Sequence, residues 1–293
     1  KVYVYDWDGS AYVEVTTLLA SDAVAEDFFG RSVALEGNRL IVGADGRDDG
    51  GISARGKVYV YDWNGSAYVE VTTLLASDAV AEDYFGTSVA LEGNRLIVGA
   101  NNRDEDRGKV YVYDWNGSAY VEVSTLLTND AADYDYFGTS VALEGNRLVV
   151  GAIGRYGYRG KVYVYDWDGT SYVETTALLA IDADGSDRFG SSVALDGDRL
   201  VVGAIFRDEG GINNRGKVYV YDLDGYTYIK ANTLLADDGR SGDRFGSSVA
   251  LEGNRLIVGA IFRDDGGINN RGKVYVYDWD GSAYVEVTTL LAS

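Results

Sequence analysis

The segment Lys-Val-Tyr-Val-Tyr-Asp occurs six times, at Lys1, Lys57, Lys109, Lys161, Lys217 and Lys273, with spacings of 56, 52, 52, 56 and 56 residues. Residues 273–293 repeat residues 1–21 letter for letter. A period near ~50 residues marks propellers and solenoids, in which one unit cannot bury its own faces and needs neighbours. The 293 residues are therefore expected to form one array (1–293), with units starting near 1, 57, 109, 161 and 217 and residues 273–293 a partial sixth copy. Near-identical units do not single out one place for chemistry.

Within the unit from Phe29 to Ser77, Ser32-Val-Ala-Leu35, Leu40-Ile-Val-Gly-Ala44, Lys57–Trp63 and Ser66–Ala76 are runs of Val, Ile, Tyr and Thr. Such β-branched and aromatic runs read as strands. Glu36-Gly-Asn-Arg39 reads as a turn, and Asn64-Gly65 as a tight hairpin turn of primed type, because both residues accept positive φ. Val58 and Val60 alternate with Tyr59, Tyr61 and Trp63, so both faces of the third strand are apolar. A sheet covered on both sides requires that pattern. The fold class expected is all-β, a β-propeller of four-stranded antiparallel blades. Phe-Gly pairs stand at Phe29, Phe85, Phe137, Phe189 and Phe245, so five units carry the first two strands and six the last two. That gives five blades plus a surplus terminal hairpin, able to dock on a neighbouring molecule in a strand-swapped array.

The chain contains no Cys, His, Met or Pro. Thiol chemistry and disulfides are excluded, and with histidine go the usual general base near neutral pH and the commonest zinc ligand. The net charge of −20 argues against nucleic acid and against anionic membrane surfaces. No apolar run approaches the ~20 residues that span a bilayer. Nothing at Lys1 resembles a signal peptide or initiator Met, so the chain reads as a mature or excised piece of something longer.

The run Asp27–Ala44, followed by Gly56-Lys-Val-Tyr-Val-Tyr61, resembles the FG-GAP repeat of integrin-α-type β-propellers, and all five units keep its order. The resemblance implies extracellular adhesion or structural display. Two features depart from that family. Asp45, Asn101, Ile153, Ile205 and Ile261 stand where it has Pro, and the integrin-type calcium loop is replaced by Glu36-Gly-Asn-Arg39 and its copies. Those turns are too short to wrap an ion with roughly six to eight oxygens, so the family's metal sites are not carried over.

Four groups of residues are candidates for chemistry. Asp182, Asp184 and Asp187 lie in a Gly-containing turn whose spacing suits Ca²⁺, or they simply make a turn. Arg47, Arg103, Arg155, Arg207 and Arg263 recur at one loop position and could grip carboxylates or sulfated glycans. The plainer reading pairs them with adjacent acids such as Asp48 and Asp104, or has them bridge blades. Trp63, Trp115 and Trp167, with Trp7 and Trp279, flank hairpin turns and offer rings for stacking on sugars, or else pack the blade edges. Asn64 and Asn116 match the N-glycosylation pattern, a site only if the chain is secreted by a eukaryote.

Every acid recurs in register and no nucleophile–base pair can be assembled from His or Cys, so no enzyme is expected. The reading is a non-enzymatic, extracellular or surface-displayed adhesion or structural protein, assembled by self-association or with neighbouring propellers through its duplicated hairpin. No cofactor is required, although Ca²⁺ could assist, and neither nucleic acid nor membrane insertion is expected. The alternative is a multivalent carbohydrate-binding propeller whose partners are glycans or surface proteins.

Overall fold

The computed structural model describes residues 1–264 and 266–291, so the last two residues of the partial sixth copy lie outside the described residues. Contacts divide the chain into two compact units, Lys1–Asp133 and Tyr134–Ser293. The first unit opens with a two-stranded sheet of β1 (Val2–Trp7) and β2 (Tyr12–Leu18). A four-stranded sheet follows, made of β3 (Ser32–Glu36), β4 (Arg39–Ala44), β5 (Lys57–Trp63) and β6 (Tyr68–Leu74). The next sheet comprises β7 (Phe85–Glu92), β8 (Arg95–Ala100), β9 (Lys109–Trp115) and β10 (Tyr120–Leu126).

The second unit holds three more such sheets. The first is β11 (Phe137–Glu144), β12 (Arg147–Ala152), β13 (Lys161–Trp167) and β14 (Tyr172–Leu178). The second is β15 (Phe189–Asp196), β16 (Arg199–Ala204), β17 (Lys217–Asp224) and β18 (Thr227–Leu234). The third is β19 (Phe245–Glu252), β20 (Arg255–Ala260), β21 (Lys273–Trp279) and β22 (Tyr284–Leu291). Each sheet runs antiparallel in chain order, as a propeller blade does, and the only helical elements among the described residues are single turns before β9 and β13. The five four-stranded blades and the extra hairpin agree with the strand count from sequence. The hairpin left without inner strands is the first, β1–β2, while its twin β21–β22 completes the last blade.

The alternation in the third strand does what a doubly covered strand requires. Val58, Tyr59, Val60 and Tyr61 are all buried, and their counterparts in β9, β13 and β17 are too. Each Phe-Gly phenylalanine stands edge-on to the tyrosine of its own blade, Phe85 to Tyr111 at 5.3 Å and Phe189 to Tyr219 at 5.4 Å. Edge-to-face contact is the favoured geometry for such pairs. Consecutive blades share cores: Ile41, Val58 and Val60 of one pack with Phe85, Val98 and Tyr111 of the next.

One turn differs from expectation. Trp63 pairs with Tyr68, leaving a four-residue loop rather than a two-residue primed turn. Only Gly65 has positive φ (96°). The Asn64 side chain explains this, since its Oδ1 accepts hydrogen bonds from Ser66 N, Ser66 Oγ and Ala67 N at 2.9 Å each. An Asx turn of this kind takes over the role of the second positive φ.

Candidate functional site

The glycines of Phe-Gly and Val-Gly-Ala form one interlock between successive blades. A methyl added at Gly203 in β16 would lie 2.5 Å from Ser192 Oγ and closer still to the carbonyl of Gly246, which belongs to the next blade. Gly43 meets Gly86 and Gly151 meets Gly190 in the same way. A serine seals each contact: Ser32 Oγ donates to Gly86 O at 2.7 Å, and Ser140 and Ser192 donate to Gly190 O and Gly246 O at 2.8 Å. Backbones come this close only where neither residue has a Cβ.

Matches to known proteins agree with that geometry. A family model described as FG-GAP repeat matches residues 12–61, 64–113, 116–165, 172–221 and 228–277. The chain belongs to the FG-GAP repeat family. It is similar to integrin alpha-11 of Homo sapiens and of Mus musculus, 31% identical over 202 residues in each. That alignment covers 58% of this chain and only 16% of the relative's length.

In this FG-GAP chain a polar contact also ties the loop that enters each blade to that blade's third strand. Asp22, in the loop leading into β3, accepts from Tyr59 Oη at 2.6 Å, Lys57 Nζ at 2.9 Å and Arg47 at 3.1 Å. Asp27 takes the other side of Arg47 at 3.1 Å. Asp78, Tyr111, Lys109, Arg103 and Asp83 repeat the set, as do Asp238, Tyr275, Lys273, Arg263 and Asp243. Burial works against the charge on Asp22 and Asp78, yet the tyrosine and the cations outweigh it and hold both carboxyls at about 2. For Asp83 and Asp187 burial wins and the carboxyls are pushed up.

The recurring arginines are thus used inside the scaffold, on acids of the loop from the preceding strand pair. The adjacent acids singled out from sequence mostly serve otherwise: Asp48 accepts from Ala54 N at 2.7 Å and Asp208 from Asn214 N at 2.6 Å. Asp104 is an exception, 3.7 Å from Arg103.

The tryptophans join a third contact. Trp115 packs against Tyr120 at 5.1 Å, and the Arg39 guanidinium of the neighbouring blade lies 4.0 Å from its ring centre. Arg39 is held in place by two hydrogen bonds to Asp62, at 2.7 and 2.8 Å. Arg199, Trp279 and Tyr284 repeat the arrangement. Trp63 and Trp167 each pack tilted or edge-on against a tyrosine at 5.2 Å.

Asp182 accepts from Lys217 Nζ at 2.8 Å and Tyr219 Oη at 3.0 Å, while Asp184 and Asp187 both reach Arg207, at 3.1 and 3.0 Å. The three carboxylates face cationic side chains of this chain, and no acidic group among the described residues has the arrangement of a metal site. Asn64 and Asn116 are exposed, each with Oδ1 engaged in its own turn.

Two features were not foreseen from the sequence. In the second unit the guanidiniums of Arg188 and Arg244 alternate with aromatic rings. Arg188 lies 5.4 Å from Tyr158 and 4.5 Å from Phe206, and Arg244 lies 4.4 Å from Phe206 and 4.3 Å from Phe262. A paired exchange in the sequence signals it. Phe28, Tyr84 and Tyr136 oppose Gly46, Asn102 and Gly154, whereas Arg188 and Arg244 oppose Phe206 and Phe262. The second feature is Asp45, an acid with no counterpart in the other blades. Burial pushes its carboxyl up, against the pull of Arg31 at 3.7 Å and a hydrogen bond from Thr87. The expectation that every acid recurs in register therefore fails at this position, where Asn101, Ile153, Ile205 and Ile261 stand in the other units.

Proposed function

We propose that this FG-GAP chain is a non-enzymatic, extracellular or surface-displayed protein of adhesion or structural type, a propeller unit in a repetitive assembly. One observation carries the reading: the recurring charged and aromatic groups are engaged with one another within and between blades, as a building material requires. Likeness to integrin alpha-11 supports a place at the cell surface or outside the cell. No helix among the described residues is long and apolar enough to cross a membrane. A net charge of −20 keeps such material hydrated, with its charges screened beyond ~8–10 Å in salt. Ca²⁺ is an accessory at most, because at Asp182 it has to displace Lys217. Sedimentation of the full chain across a concentration series tests the reading: open-ended oligomers support it, and a monomer at every concentration removes it.

A carbohydrate-binding role is the second reading, and Arg188 and Arg244 offer it a further site besides the tryptophans. Arg188 and Arg244 have no carboxylate partner among the described residues, in a strongly acidic chain. Their free N–H edges suit the carboxylate or sulfate groups of an acidic glycan. Binding to sulfated or uronate glycans that disappears in Arg188→Gln/Arg244→Gln would support it, and binding unchanged by that pair would count against it.

A further inference from the structure

Four of the five blades carry a tryptophan near the end of the third strand, and the blade β15–β18 carries Leu223 there instead. Where the ring is present it covers an arginine of the preceding blade. Arg39 lies 4.0 Å from the ring centre of Trp115 and Arg199 lies 4.1 Å from that of Trp279. Arg147 is their counterpart at the seam between β11–β14 and β15–β18. It keeps the tyrosine of the pair, Tyr228, whose ring centre is 5.7 Å away and whose Oη accepts from it at 3.3 Å. The indole is gone, because Leu223 stands opposite Tyr228 as Trp115 stands opposite Tyr120 and Trp279 opposite Tyr284.

A cavity of about 370 Å³ opens beside Arg147 at this seam, walled by Glu144, Asn146, Asp166 and Trp167 of one blade and by Leu195 and Gly197 of the next. That size lies within the ~300–1,000 Å³ of small-molecule sites. Its polar groups are fixed: Arg147 donates to Asp166 at 2.8 and 3.1 Å, and Glu144 accepts from Gly197 N at 2.7 Å. The bonds to Asp166 lie in the guanidinium plane, so the face that meets indole in the sister seams is the part left over. The Arg147 side chain is accordingly 24% exposed, against 19% for Arg39 and for Arg199. The hairpin that lost the tryptophan has gained a ring at its tip. Tyr226 stands where the other hairpins have Ser10, Ser66, Ser118, Thr170 and Ser282, and at 95% exposure it does not fill the cavity of its own chain.

We propose that the cavity over Arg147 is a binding site for an electron-rich aromatic ring, its ligand being an indole or phenol side chain of a protein. The chain itself places indole on the equivalent arginine at two other seams. A guanidinium attracts the negative face of such a ring. A pyranose offers C–H groups of the same polarity as the cation, and Glu144 and Asp166 repel acidic sugars. Tyr226 of a second copy and an aromatic residue of another protein present the same chemistry.

Nitrogen-edited NMR on the full chain tests this by following the Arg147 Nε–H while N-acetyl-tryptophanamide is added to millimolar concentration. The ring current of the bound indole should shift the signal upfield to saturation, and N-acetyl-leucinamide should leave it in place. Leu223→Trp supplies the missing ring from within, so it should melt no lower than the parent and bind the probe about tenfold or more weakly. A parent that binds no probe, or that binds methyl glucoside in its place, would overturn the proposal, as would a folded Leu223→Trp that binds the probe as tightly as the parent. Dilution without probe separates the two sources. A shift that fades on dilution and is absent in Tyr226→Ala belongs to a second copy, and a position independent of concentration assigns the ring to another protein.

Discussion

Replacing Gly203 by Ala adds one methyl, in a strand whose φ strains no L-residue, against a backbone carbonyl that belongs to another blade. Gly259→Ala makes the same change in the same Val-Gly-Ala sequence, where the nearest atom is the Ser248 hydroxyl, which can rotate away. Overpacking a tight contact costs about 1–3 kcal/mol. Separating Ser192 Oγ from Gly246 O, now 2.8 Å apart, forfeits about 1 kcal/mol more. Gly203→Ala should therefore lose about 2–4 kcal/mol. Gly259→Ala should lose less than about 1 kcal/mol, partly offset by the entropy that glycine costs a strand. In a unit of this size each kcal/mol moves Tm by about 2–4 °C. Scanning calorimetry should show Gly203→Ala melting roughly 5–12 °C low and Gly259→Ala within about 2 °C of the parent. Equal shifts for the two would refute the interlock as the reason for these glycines.

Other outcomes follow from the same geometry. Phe189→Ala removes a fully buried ring lying against Tyr219 and Tyr221, and urea unfolding should show a loss of about 3–5 kcal/mol. Asp22 and Asp78 are held below the ordinary aspartate value, so their contribution is complete above about pH 4 and is lost as pH falls towards 2. Buried Asp83 and Asp187, pushed up, act in the opposite sense. Asp78→Asn should accordingly flatten the acid limb of a stability-versus-pH curve, and an unchanged limb would contradict the assignment. A double-mutant cycle on Arg39→Ala and Trp115→Ala should give a coupling of about 0.5–2 kcal/mol, whereas additive losses would deny the stacked pair. Millimolar Ca²⁺ followed by chelation should leave Tm within about 1 °C, since Lys217 and Arg207 already compensate the Asp182 loop.

The strands were legible because their signal is local: Val-Tyr alternation in Lys57–Trp63 states both the period and the double covering, and the repeat states the number of blades. The long-range contacts were less so. Asp22 and Tyr59 are 37 residues apart and Arg39 and Trp115 further still, and nothing in one unit reveals which neighbour it faces. Trp115 and Arg47 therefore read as either ligand-binding or structural, with the structural use the plainer one, and the contacts with Arg39 and Asp27 could not be named from sequence. The turn at Asn64 was misread because the dipeptide Asn-Gly permits two answers, and the following Ser66 and Ala67 amides select the Asx turn. The identity of residues 1–21 and 273–293 announced a surplus hairpin. It did not say which copy would be left over, because that depends on which one has inner strands to pair with.

The central claim is that the recurring side chains are used inside the scaffold, as the buried Tyr275 of β21 is, while Tyr226 at its hairpin tip is open to solvent. Single-cysteine variants Tyr226→Cys and Tyr275→Cys, labelled with a thiol reagent under native conditions at high dilution, test it most directly. The Tyr226→Cys thiol should react at nearly the rate of a free thiol, and the Tyr275→Cys thiol only through local opening, slower by a factor of about a thousand or more. Comparable rates at the two positions would contradict the account.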